Sequence, residues 1–394
     1  MTRSRPAWVP AALLALTVAV SADTAPDRKP VRDPQATQAK PPAKPKKTPA
    51  EKAAGAWPDS ATIARRREQA EALALFQSSV PLAFTLAANF DAVNADRDTN
   101  STKTYPASLT VAGENGEALA IPVTLRTRGH LRLDVRTCAF PPLSIGFPKN
   151  ETQGTLFDGQ AELDLITHCQ DDDDYDQYVL KEYLAYRLYN LVTPRSLRVR
   201  LAQATYVDSR KGRKVASRYA VFIENKDDLA HRLEGRALAF PHTVFNNYDG
   251  DALTLAMVFE YMIGNTDYSI WGLHNVRQVQ TRFRPLYPII WDFDGSGLVS
   301  APYVAPDARL GIPSARVRVY RGPCRTLEAF EPTFAAFRAK EAESMALVNS
   351  LPGLRPYYRE QAAQFLTEFY RMLRSKEDLK KAFVDRCNKK ANTL

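Results

Sequence analysis

Residues 107–129 read ASLTVAGENGEALAIPVTLRTRG. Branched or aliphatic side chains alternate with small or polar ones on both sides of Glu114-Asn115-Gly116, a turn-forming triplet. That period of two, broken once by a tight turn, predicts a β-hairpin. The same texture extends in both directions. Upstream lies PLAFTLAANF (81–90), and downstream lie PPLSIGF (141–147), AELDLIT (161–167), RVRLAQATYVD (198–208) and SRYAVFIE (217–224), all strand candidates.

Helical periodicity appears in three places. Residues 61–76 place Ala, Leu and Ile among Arg65, Arg66, Arg67 and Glu68, which predicts a charged helix. Residues 178–191 carry Leu180, Tyr183, Leu184, Leu188 and Leu191 as an apolar stripe. After residue 236 the balance shifts to helix, with a buried segment at 252–263 and amphipathic segments at 334–349 and 356–376. One short strand, LYPIIWDFD (286–294), lies among them. The expected class is α+β, with a strand-rich first part over residues 57–235 and a helical second part over residues 236–394.

The first 56 residues read differently. Arg3 and Arg5 precede an uncharged run over 6–20 and the small residues Val20-Ser21-Ala22, the order of a secretory signal peptide over residues 1–22. Residues 23–56, rich in Pro, Lys, Ala and Thr, read as a disordered tether. These 56 residues hold ten Lys/Arg and four Asp/Glu, so +6 of the net +9 is there and +3 remains for the rest. The basic excess is therefore no nucleic-acid signal. The mature chain is expected in the periplasm or secreted, with no transmembrane anchor.

Four cysteines follow: Cys138, Cys169, Cys324 and Cys387. An even number in an oxidising compartment suggests pairing, and Cys138 with Cys169 and Cys324 with Cys387 would each bracket one stretch of sequence. The other account is four ordinary buried thiols; no C-x-x-C metal spacing competes.

Two polar segments end apolar elements. Gly264-Asn265-Thr266-Asp267-Tyr268-Ser269, with His274-Asn275, follows the buried helix; Asp292-Phe293-Asp294-Gly295-Ser296-Gly297 follows the strand 287–291. Carboxylates at the end of a buried strand suit a hard cation that takes its other ligands from phosphate and water. Asp267 would take the proton of a substrate hydroxyl, with Asn275, Asp292 and Asp294 on the metal: the parts of phosphoryl transfer. Asp, Asn and Gly are also the ordinary residues of turns and caps, so either segment alone says little. The run Asp171–Asp174 reads as a solvated loop, and His168 beside Cys169 has no zinc-spaced partner. Arg195, Arg198 and Arg200 could face an acidic substrate or simply alternate on a solvated strand face. No Gly-x-Ser-x-Gly or His-Glu-x-x-His occurs.

Arg126-Thr127-Arg128-Gly129 after a strand, the helix KEYLAYRLYNL, the strand and acid YAVFIEN, the loop GNTDYSIWGLHN and the strand end WDFD occur in an order that resembles the CotH-like kinases, atypical secretory kinases. The likeness covers roughly residues 80–310. It implies an atypical protein-kinase-like fold with a strand-rich N-lobe and a helical C-lobe, and transfer of phosphate from ATP with Mg (or Mn) to a protein or other envelope acceptor. It also implies Asp267 as the catalytic acid, Asn275 and Asp292 at the metal, and Glu224 at the lobe junction. Relatives tend to carry a Lys in the strand where this chain reads Glu162-Leu163-Asp164, and no Gly-x-Gly-x-x-Gly loop is present. The phosphates would then fall to Lys149, Lys181 or a bidentate Arg128, with Lys181 read as helix surface. A catalytically silent binding or assembly module and a metal-dependent phosphoester hydrolase are the other two readings.

Overall fold

A computed structural model describes residues 56–113, 115–282 and 286–387; the expected leader, and the tether up to residue 55, lie outside them. Helix α1 (Ser60–Glu71) starts on Asp59, whose carboxylate accepts the Thr62 N–H at 2.7 Å. Strand β1 (Leu82–Ala88), helix α2 (Phe90–Ala95), and strands β2 (Tyr105–Ala112), β3 (Ala118–Thr127), β4 (Leu143–Gly146) and β5 (Glu162–Ile166) follow. Helix α3 (Asp173–Val192) then leads to β6 (Val199–Asp208) and β7 (Arg213–Ile223). The remaining elements are α4 (Lys226–Arg232), β8 (Gly235–Leu238), α5 (Gly250–Ile263), β9 (Val276–Thr281), β10 (Leu286–Ile290), α6 (Leu327–Ala339), α7 (Glu341–Ser350), α8 (Pro356–Met372) and the short α9 (Lys376–Leu379).

The hairpin read at 107–129 is present: β2 pairs antiparallel with β3, and Gly116 adopts the left-handed φ of +83° that the turn requires. Along β3 the alternation puts Ile121, Val123 and Leu125 inside. What the local pattern did not show is closure. β1 pairs in parallel with β6, Leu82 opposite Ala202 through Ala88 opposite Asp208, so seven strands in the order β1-β2-β3-β4-β5-β7-β6 form a closed barrel. The two-lobed, kinase-like arrangement expected from the sequence is therefore corrected. Closure removes the sheet edges that an open N-lobe sheet would leave, and inside the barrel the Phe222 ring lies between Phe84 and Phe157, with centroids 5.2 and 5.6 Å away.

Strands β8, β9 and β10 form a second, antiparallel sheet, and the described residues from Trp57 on make one compact unit. The helical core centres on α3 and α5. Eleven of the twenty residues of α3 are buried, more than one stripe. Among them is Lys181, read as surface; it is enclosed between the rings of Tyr178 and Tyr358. The acidic run caps this helix: Asp172 accepts the Asp174 N–H, Asp173 and Asp174 occupy the first turn, and Arg218 pairs with Asp171 and Asp173. The segment expected as one helix over 334–349 is divided at Lys340 into α6 and α7. No helix among the described residues is long and apolar enough to cross a membrane.

Both expected disulfides form, Cys138–Cys169 and Cys324–Cys387. The first ties the loop after β3 to the segment after β5 across a separation of 31 residues. Replacing Cys138 and Cys169 together by Ser should lower unfolding free energy by about 3 kcal/mol, because the cross-link restricts the unfolded chain. Urea unfolding of wild type and variant checks this; identical midpoints would refute it.

Candidate active site

The two polar segments are brought together by α5 and β10. Helix α5 begins on Asp249, which accepts the Ala252 N–H, and ends at Gly264, whose left-handed φ of +66° turns the chain into the loop bearing Asp267. The N–H groups of Gly297 and Leu298 donate to the carbonyls of Gly264 and Ile263, stitching the segment after β10 to the helix end. Gly295 lies directly against Asp267; a Cβ there would sit 2.9 Å from the Asp267 Cβ.

Phe293 is the anchor. It is fully buried against Tyr186 and Phe259, with ring centroids 4.7 and 5.6 Å away, and holds its two neighbours, Asp292 and Asp294, at a cavity of about 620 Å³. Asp292 has φ +62° and Asn275 φ +53°, a region that Asp and Asn enter more readily than other residues with a Cβ. The Asp292 N–H donates to the Tyr186 hydroxyl at 2.9 Å, and the Trp291 N–H donates to the Asn275 carbonyl, so both conformations are fixed by hydrogen bonds. Backbone held in sparsely populated regions concentrates at functional sites.

The same cavity is lined by Arg128, Arg132, Glu182, Asp267, His274, Asn275, Asp292, Asp294 and Tyr303. Asp267 Oδ1 accepts from His274 Nε2 at 2.9 Å, and its Oδ2 and carbonyl accept from Asn275 Nδ2 at 3.2 and 2.7 Å. Its own N–H donates to Asn265 Oδ1. The hydrogen bond to Asp267 raises the His274 pKa. Asp294 Oδ2 accepts from the Tyr303 hydroxyl at 3.1 Å. Burial, then repulsion by Asp294, pushes Asp292 up to about 7, and burial with repulsion from Asp294 and Asp292 holds Glu182 well above the usual carboxylate range.

Arg128 and Arg132 line the same cavity as these acids. Arg128 Nε lies 3.1 Å from Asp164 Oδ1, and the guanidinium covers the Trp291 ring at 5.4 Å. Arg132 donates to the Thr167 carbonyl and covers the Tyr303 ring, while its buried Nε has no partner among the described residues.

Of the residues expected from sequence, Asp267, Asn275, Asp292, Asp294 and Arg128 converge here. Lys149 is exposed on a turn after β4, and Glu224, though buried, binds Arg198 and Arg232; neither lines the cavity. Sequence reasoning missed Glu182 and Arg132. Glu182 did carry a signal, an acid in the middle of the apolar α3, because Glu is rarely buried without a partner. Arg132 stands in an irregular loop and carried none.

Among the described residues, no three His, Cys, Asp or Glu side chains are close enough together to hold a metal ion by themselves. Mg²⁺ does not require that, since it is commonly held by one or two carboxylates with phosphate and water completing the shell. Buried acids that repel one another beside two guanidiniums fit a divalent cation carrying phosphate.

No protein-family model matches this chain, and no curated protein matches it. Among solved structures, the crystal structure of the proinflammatory kinase CtkA of Helicobacter pylori aligns over 62% of this chain and 89% of that chain, with 11% sequence identity and a TM-score of 0.34. At so low a likeness the site has to be read from its own residues.

The raised acids give a pH signature. Between its unfolded value near 3.8 and its folded value near 7, Asp292 holds a proton that the unfolded chain lacks. Stability therefore falls as pH rises through that window and stays reduced above it. Without metal, Asp292→Asn should melt a few degrees above wild type at pH 8, and the gap should close towards pH 5. Millimolar MgCl₂ should raise the wild-type melting temperature at pH 8 and leave the variant unmoved. Calorimetric melts with and without Mg²⁺ decide; parallel pH profiles would refute the coupling.

Proposed function

We propose that this chain transfers a phosphoryl group from ATP, held with Mg²⁺ or Mn²⁺, to a hydroxyl of a protein or other envelope acceptor in the periplasm or outside the cell. The observation that carries the reading is one cavity lined together by Asp292, Asp294 and Glu182 and by Arg128 and Arg132. The reading rests on the site, since fold alone does not specify chemistry.

Each residue has a distinct task. Asp292 and Asp294 would hold the cation, with Glu182 behind them adding negative potential. When bound, the cation would neutralise charge on the β- and γ-phosphates. Arg128 and Arg132 would grip phosphate oxygens, a function their forked donors suit. Asp267, half-exposed at the cavity, would take the proton of the acceptor hydroxyl as its oxygen bonds to the γ-phosphorus and the bond from that phosphorus to the ADP oxygen breaks. His274 and Asn275 donate to Asp267 and so fix its carboxylate.

One observation favours a second reading: among the described residues no lysine lines the cavity. A binding module without turnover would need none. Asp292→Ala should weaken Mg-ATP binding by roughly 100-fold, because a ligand of the cation is lost. Asp267→Ala should leave that affinity nearly unchanged while lowering turnover by roughly 10²–10⁴-fold. Calorimetric titration and phosphate-transfer assays test both. Tight Mg-ATP binding with no turnover in wild type would favour the binding module, metal-dependent cleavage of p-nitrophenyl phosphate without nucleotide the phosphoester hydrolase, and no nucleotide binding with either metal would end the kinase reading.

A further inference from the structure

A second cavity, of about 410 Å³, lies on the other side of α3. The helix presents Glu182 to the first cavity and Arg187, five residues later, to the second. Five residues rotate the helix by about 140°, so the two side chains leave it on different faces. The second cavity is walled by the guanidiniums of Arg187, Arg198 and Arg232, by Ser78 and Ser79 of the turn before β1, and by Asn190 at the end of α3. No carboxylate is among its lining residues.

The arginines differ in how they are held. Glu224, with its side chain fully enclosed, accepts from Arg198 Nε at 3.0 Å and Arg232 Nε at 2.7 Å, and also from the Arg198 N–H. Arg198 further donates to the Ala70 carbonyl and Arg232 to the Ser196 carbonyl. Both guanidiniums are therefore fixed before any ligand arrives. Arg187 donates to the Tyr183 hydroxyl at 2.7 Å and, among the described residues, is in no ion pair. Buried Arg200 donates to the Leu75 and Ser78 carbonyls and fixes the serine turn from behind. Two further acids stand near: Glu71 Oε2 lies 3.8 Å from the Arg198 guanidinium and the Glu71 carbonyl accepts from it, while Asp228 is half-buried and repelled by Glu224; neither is among the described residues that line the cavity.

One carboxylate shared by two rigid guanidiniums, a third guanidinium without a counter-ion, and hydroxyl donors in one concave site make a receptor for a tetrahedral oxyanion. Guanidinium forks match phosphate and sulfate geometry, and such charge-assisted bonds are the strong ones. The volume exceeds what one oxyanion fills. We propose that this cavity binds a small molecule through its phosphate or sulfate group, at a site separate from the candidate active site, with Arg187 as the residue that engages the anion.

Inorganic phosphate, sulfate and glucose 6-phosphate should be titrated calorimetrically, without metal, into the full chain and into R187Q and R128Q. Binding at least about tenfold weaker in R187Q is expected, whereas weakening confined to R128Q would place the anion in the first cavity and overturn the proposal. Tighter binding of glucose 6-phosphate than of phosphate would show that an organic phosphate, rather than the free ion, is the better occupant. Should R187Q fail to fold, wild type still gives the answer: phosphate should protect Arg187 from phenylglyoxal, read by peptide mass mapping. Equal affinity in wild type and R187Q, modification of Arg187 undiminished by phosphate, or no binding of any of the three probes would overturn the proposal.

Discussion

The parallel pairing of β1 with β6 is the constraint on which the rest depends. Register partners such as Leu82 and Ala202 are 120 residues apart, so a long loop is closed before the contact stabilises anything. The return is a sheet with no free edge and a sealed aromatic interior. Closure also fixes where the intervening helix α3 lies. Because α3 packs on β6, β7 and α7, with Tyr189 against Phe259 of α5, its buried side chains reach both the barrel wall and the helical core. Glu182 reaches the first cavity only because that packing is settled.

Within the first cavity, electrostatics opposes folding. Burying Asp292 and Glu182 beside Asp294 raises the cost of charging both, and Arg128 and Arg132 offset it only in part. Natural chains keep such arrangements where a ligand resolves them. The rigid parts of the site are those that must stay in place: Phe293 is locked in an aromatic cluster, the Asp292 and Asn275 backbones are pinned by hydrogen bonds, and Gly295 permits close contact with Asp267. Residues expected on a two-lobed scaffold thus stand together on a barrel with helices packed against it.

Much of the local structure was legible. Period-two runs gave the strands β1 to β7 nearly in place, the Asn115-Gly116 turn gave the hairpin, and bracketing gave both disulfides. Asp267, Asn275, Asp292 and Asp294 drew attention because Asp and Asn near the ends of apolar elements stand out against their surroundings, and Arg128 through the family resemblance; all five line one cavity. Lys149 and Glu224 were misplaced for a shared reason: a charged residue beside a strand reads the same whether it faces solvent, an arginine pair or a ligand. Lys181 shows the opposite failure, since a lysine on a helix reads as surface until two tyrosines from different helices enclose it.

The sequence by itself determined the local elements, the cysteine pairs and the acids at the ends of α5 and β10, because each is written in the spacing and type of neighbouring residues. Only the tertiary structure decided barrel closure, the inward place of Glu182 and Arg132, and the second cavity around Arg187. These depend on contacts between segments far apart in the chain, whose strength comes from burial and shared charge rather than from any local preference.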